Sequence, residues 1–192
     1  PNIHLVLDKS GSMVKYTWDH DGAAATPEVT RWHSLHEVVE SVTSSLEEHV
    51  NFGAVLFPST NAKAEWSTAA CIVEDAPDVI VGPENAEAIL ASIPDKTATS
   101  PEVAGGTPAA SGLALAYDDL ATQGGENAPA VILVTDGAAN CGAGQTGNDL
   151  FNLYDDDLLP LVTAAWSTDA IPTYVVGIDI DRHRTKGEID TF

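Results

Sequence analysis

Apolar positions follow two rhythms along this chain. Ile3-His4-Leu5-Val6-Leu7 is a continuous run that stops at Asp8, and the Lys9-Ser10-Gly11-Ser12 that follows is turn chemistry. Val50 to Phe57 repeats the pattern and closes on Pro58-Ser59. Ala130 to Val134 repeats it again and ends in Thr135-Asp136-Gly137, and Ile171 to Ile178 is a last run of the same kind. Cys71-Ile72-Val73 is a weaker one. Strands without polar alternation are buried on both faces, which is the mark of a parallel sheet.

The second rhythm is helical. Thr30 can cap a helix whose Trp32, Leu35, Val39, Val42 and Leu46 recur at three- and four-residue spacing, ending near His49. Asn85 to Ile93 places Ala86, Ile89, Leu90 and Ile93 on one face before Pro94, and Ala109 to Ala121 turns Leu113, Ala116, Tyr117 and Leu120 toward a sheet. Leu150 to Trp166 forms a helical region interrupted around Pro160, and Met13 to Val29 is a Gly/Ala/Pro/Asp-rich insertion. Strands alternating with helices predict an α/β fold with a doubly wound, mostly parallel sheet covered on both faces. Neither an internal repeat nor a linker appears, so a single domain over residues 1–192 is expected.

Charge narrows the partners. Against 29 Asp and Glu there are 8 Lys and Arg, a net charge of −21, and such a surface repels nucleic acid and anionic membranes alike. No apolar run reaches the roughly 20 residues of a membrane span. Pro1 is preceded by no basic leader, so the chain is expected to be a segment of something longer. Cys71 and Cys141 lie in segments that read as loops, without CxxC or a Cys/His cluster around them. They form either one disulfide or two buried thiols, the disulfide being expected in an exported protein.

Ligands of doubly wound sheets sit outside the carboxyl ends of the strands, where the strand order reverses. Two strands here end in carboxylates, Asp8 and Asp136. Ser10 and Ser12, alternate residues of a tight turn, bring hydroxyls to the same place. An oxygen-only donor set suits a hard divalent cation such as Mg²⁺, with Mn²⁺ or Ca²⁺ as alternatives, and is unlike a zinc site.

Asp8-Lys9-Ser10-Gly11-Ser12, with Gly106-Thr107-Pro108 and Thr135-Asp136-Gly137, resembles the three-part metal-ion-dependent adhesion site of von Willebrand factor type A domains. The motifs arrive in family order over almost the whole chain, and the long insertion after the first motif is similar to that of bacterial members. The resemblance implies a Rossmann-like fold and a metal held by Asp8, Ser10, Ser12, Thr107 and Asp136. It also implies a protein ligand that presents an Asp or Glu carboxylate to that metal, and a binding domain rather than an enzyme. The departure lies at the end, where residues 179–192 leave no room for the last strand and helix such domains carry.

Other chemistry is weaker. His33 and His36 read as a helix-surface pair, and Asp19-His20-Asp21 and Asp155-Asp156-Asp157 lack EF-hand spacing. No GxSxG elbow is present, and Asp136-Gly137 is preceded by Thr135 rather than by a nucleophilic aspartate. A rival metal-dependent hydrolase would need a general base beside the ion, and the motif loops offer none, Lys9 being the nearest basic residue. A second rival is a subunit working with a motor ATPase. The acidic surface and the expected disulfide favour an extracellular or cell-surface binding domain.

Overall fold

A computed structural model describes residues 1–124 and 127–180. In chain order the elements are β1 (Asn2–Asp8), α1 (Ser12–Lys15), β2 (Thr17–Trp18), β3 (Val29–Thr30), α2 (Arg31–Leu46), β4 (Asn51–Phe57), β5 (Val79–Gly82), α3 (Ala86–Ser92), α4 (Ala109–Gln123), β6 (Pro129–Thr135), α5 (Asp149–Asn152), α6 (Leu158–Asp169) and β7 (Thr173–Gly177). A 3₁₀ turn, Thr68–Cys71, lies between β4 and β5.

The main sheet has the order β5-β4-β1-β6-β7, with β1 parallel to both β4 and β6, and β6 parallel to β7. From β1 the chain builds outward to β4 and β5, then crosses back to β6 on the other side of β1. The reversal therefore falls between β1 and β6, and their carboxyl ends carry Asp8 and Thr135-Asp136. Side chains alternate across the pleat. Leu5 and Leu7 pack with Trp32, Leu35 and Val39 of α2 and Ile89 of α3, while Val6 packs with Leu113, Ala116 and Leu120 of α4 on the opposite face. With both faces covered, the wholly apolar reading of β1, β4 and β6 is explained. No helix among the described residues is long and apolar enough to cross a membrane.

Two expectations need correcting. The segment around Cys71 is a 3₁₀ turn rather than a strand, capped by the Ser67 hydroxyl on the Ala69 amide. The edge strand is instead β5, antiparallel to β4, and just before it Asp78 accepts from the Leu56 amide at 2.7 Å. Pro160 does not interrupt a helix. It sits in the first turn of α6, where its missing N–H removes no helical bond, and the break is at residues 153–157. The Met13–Val29 insertion folds into α1 and the small antiparallel β2–β3 pair. The expected absence of a final strand and helix concerns residues 181–192, which lie outside the described residues.

One buried polar link went unread in the sequence. His4, fully buried on β1, meets Asp119 of α4 through Nε2 at 2.6 Å, and the same Asp119 oxygen accepts from the Val81 amide. Burial pulls the His4 pKa down against the opposing pull of Asp119. Gly53 is small for this histidine, since a methyl group there would stand 2.7 Å from His4 Cε1.

Candidate metal centre

The first motif is built by the end of β1. Asp8 is fully buried in register with Phe57, and its oxygens accept from the Ser10 amide at 2.7 Å and the Thr135 hydroxyl at 2.6 Å. Those donors favour the charged form, but burial and then the neighbouring Asp136 charge outweigh them and push the Asp8 pKa up to about 7. Each oxygen keeps a second lone pair to offer.

The hydroxyls form a chain. Ser12 Oγ donates to Asp136 Oδ1 at 2.8 Å, so the 2.9 Å contact between the two serines is a donation from Ser10 to Ser12. Thr107 approaches from the loop before α4. Its amide donates to Asn140 Oδ1 at 2.7 Å and its carbonyl accepts from the Asn140 amide at 3.0 Å. Gly105 carries φ +109°, a conformation that favours glycine, and its carbonyl accepts from the Gly11 amide at 3.1 Å, joining the two motif loops.

Asp136, on the residue after β6, is 1% exposed and holds a cation that the sequence reading missed. Arg31 Nη1 lies 2.5 Å from Asp136 Oδ2, and Nε and Nη2 reach Asp179 Oδ2 at 3.1 and 2.9 Å. Arg31 is itself fully buried. It is the first residue of α2, where the helix dipole disfavours a cation, and an arginine in that place was the only hint that carboxylates hold it. Lys9 faces away from these groups, with Nζ on the carbonyls of Glu102 and Ala104 at 3.2 Å each. Burial draws its pKa down to about 8, against the charge of Asp8.

Ser10, Ser12, Thr107 and Asp136 line one cleft of about 500 Å³. Its rim carries Lys15, Glu65 and the 76%-exposed Trp66, which packs edge-on against Phe151 at 4.8 Å between ring centres. Thus the structure brings Ser10, Ser12, Thr107 and Asp136 to one opening, with Asp8 beneath. Among the described residues no group of three or more His, Cys, Asp or Glu side chains is disposed to hold an ion. The donors gathered here are two carboxylates and three hydroxyls. Elsewhere, His33 pairs with Glu37 on the surface of α2.

Cys71 and Cys141 are bonded, with Cα atoms 5.8 Å apart, and the bridge lies behind this cleft.

No protein-family model and no curated protein sequence matches the chain. Solved structures do match. The pilus adhesin SpaC of Lactobacillus rhamnosus GG superposes with a TM-score of 0.59 at 20% identity, over 91% of this chain and 24% of its own. An aerotolerance-related membrane protein of Bacteroides fragilis gives 0.55 at 17%, over 91% and 66%. The likeness is one of fold. The PilB minor pilin of Streptococcus sanguinis, at a TM-score of 0.50 and 17% identity, shares it over 98% of this chain and 60% of its own. In each case the chain spans less than two thirds of the matched protein. The shared architecture is a Rossmann-like α/β fold, a mostly parallel sheet with helices on both faces.

Proposed function

We propose that this chain is a divalent-metal-dependent protein-binding domain, non-enzymatic and exported, in which Asp8, Ser10, Ser12, Thr107 and Asp136 hold the ion. The observation that carries the reading is the convergence of two buried carboxylates, from adjacent strand ends at the sheet's reversal point, with three hydroxyls at an open cleft. The donor set fits a hard cation: all five side chains offer oxygen, and the buried Asp8–Asp136 repulsion is of the kind a cation relieves. Mg²⁺ is the ion this set suits best. When bound, such an ion supplies an electrophilic coordination position to a carboxylate of the partner.

The protein's residues shape what can enter. Arg31 neutralises one oxygen of Asp136 from behind and leaves the other toward Ser12 and the cleft. Only part of the site's negative charge therefore remains to oppose an incoming anion. Lys15 on the rim adds a favourable charge for an acidic ligand, and Trp66 and Phe151 supply apolar contact beside it. The disulfide, and the pilus adhesin and minor pilin that share the fold, support an exported or surface setting. Lys9 is engaged on two carbonyls, which removes the nearest candidate base of a hydrolase reading.

The test is binding of Asp- and Glu-containing peptides from a random library to immobilised protein in Mg²⁺. Retention that EDTA abolishes and excess Mg²⁺ restores supports the reading. Retention indifferent to EDTA, or metal-dependent turnover of phosphate or acyl esters, contradicts it.

A further inference from the structure

We infer that the Cys71–Cys141 disulfide, acting with Asn140, is the positioning device of the Thr107 side of the cleft, and that it thereby sets the site's affinity. The inference rests on the metal-binding reading above and adds to it a part that the motif residues do not contain.

The two sides of the cleft are held by different means. Ser10 and Ser12 follow directly on β1, whose seven residues pair with β4 and whose first six pair also with β6. Thr107 has no strand behind it. Its segment, Gly105-Gly106-Thr107, lies against two other loops, one before β5 and one after β6. Gly106 donates its amide to the Ala70 carbonyl at 2.9 Å, and Thr107 exchanges its amide and carbonyl bonds with Asn140. Ala70 and Asn140 are the residues immediately before Cys71 and Cys141. The bridge therefore ties together the two residues that grip the Thr107 segment from its two sides.

The segment also packs on the bridge itself. A methyl group at Gly106 would stand 2.5 Å from Cys141 Sγ, 3.2 Å from Cys71 Sγ and 3.0 Å from Asn140 Oδ1, so nothing larger than hydrogen fits between them. Gly105 is confined in the same way, its added methyl meeting the Ala70 carbonyl at 2.6 Å. Cys141 itself has φ +67°, an uncommon backbone state for a residue with a side chain, and its amide is fixed on the Leu150 carbonyl at 2.8 Å. Without the bridge, the segment would keep the bond from the Gly11 amide to Gly105, and three hydrogen bonds to the Ala70 and Asn140 loops would remain to hold its far side. Loops of that kind open locally at low cost, and the Thr107 hydroxyl would sample positions away from Ser10 and Ser12.

A double-mutant cycle tests this with Mn²⁺ alone as the probe. Replacing both cysteines (Cys71→Ser with Cys141→Ser) should weaken Mn²⁺ binding about tenfold when Thr107 is present, and by less than about twofold in a Thr107→Ala background. A purely structural bridge would lower the melting temperature and leave that coupling at zero, so equal losses in the two backgrounds, or no loss in either, overturn the inference. Asn140→Ala, with the bridge intact, runs the same cycle should the serine variant not fold, and the same dependence on Thr107 is expected. Failure of the unmutated protein to bind Mn²⁺ would overturn the functional reading instead. Amide exchange of the metal-free protein then decides the inference: selective acceleration at Gly106 and Thr107 on loss of the bridge supports it, and a uniform change across β1 and the loop overturns it.

Discussion

Asp8 and Asp136 end adjacent strands and are equally buried, yet they are stabilised in opposite ways. Asp136 faces a buried guanidinium, whereas Asp8 has only neutral donors, an amide and a hydroxyl, and its pKa rises to about 7. Hydrogen bonds alone do not offset the loss of water around a carboxylate when a second carboxylate lies nearby. The difference locates the unmet demand for positive charge on the Asp8 side of the cleft, which is where the hydroxyls of Ser10 and Ser12 gather. A site with both carboxylates paired by arginine would be a structural ion-pair network. Here one pairing is missing.

The largest effect expected from this contrast follows Arg31→Met. Removing one partner of a buried pair while leaving the others in place costs about 3–5 kcal/mol, and here both Asp136 and Asp179 lose their cation. Denaturant melts of the metal-free variant should show that loss, saturating Mg²⁺ should recover part of it, and Asp136→Asn in the same chain should recover part without metal. Unchanged stability in Arg31→Met would mean that the buried pair contributes nothing and the two carboxylates do not differ.

A smaller effect is the pH dependence of the Asp8 side. In the folded, metal-free protein Asp8 keeps its proton up to about pH 7, while in the unfolded chain it loses it near pH 4. Between those values the folded state binds more protons, so the Asp8 contribution is fully present below about pH 4 and is lost as pH rises through 7. The loss is on the order of 2–4 kcal/mol. His4 works in the other direction: its lowered pKa means that folding excludes a proton which the unfolded histidine takes up below about pH 6.5. The difference between the wild type and Asp8→Asn isolates the Asp8 part. Stability curves of the two proteins that run parallel from pH 4 to 8 would contradict the assignment.

Most of this contrast was invisible in the sequence, for a physical reason. Asp8, Ser10 and Ser12 are neighbours on one turn, and the strand that presents them is continuous in apolar character, so their convergence is a local property. Asp136 was legible as a carboxylate ending an apolar strand before Gly137, whereas Thr107 entered only through the motif resemblance, the Gly105-Gly106 break marking no more than a loop. Arg31, Asp179 and the pairing of His4 with Asp119 depend on which helix lies on which face, and no spacing along the chain encodes a contact 148 or 115 residues away. Asn140 stayed hidden because loop asparagines are common, and only the Thr107 backbone shows what it does. The edge strand β5 was missed because four residues, Val79–Gly82, pair on one side only, and a short antiparallel edge carries little pattern of its own.

The smallest effect concerns the whole surface. At −21 the folded chain repels itself, and molar salt shortens the screening length from about 10 Å at 0.1 M to about 3 Å. A rise of a few degrees in melting temperature is expected in 1 M NaCl, on the order of 1 kcal/mol. The rise should be equal in the wild type and Asp8→Asn, because the buried pair is screened little. A salt effect confined to one of them would mean that the cleft carboxylates, rather than the surface, respond.

The central claim, that Asp8 is the carboxylate left waiting for a cation, is tested most directly by calorimetric titration of Mn²⁺ into the wild type and Asp8→Asn at pH 8. Loss of a carboxylate that holds the ion, directly or through water, should reach at least the upper end of the 10- to 100-fold that loss of a supporting residue costs, so single-site, EDTA-reversible binding is expected in the wild type and affinity weaker by about 100-fold in the variant. Equal affinity in the two proteins would contradict the account, as would the absence of binding in the wild type.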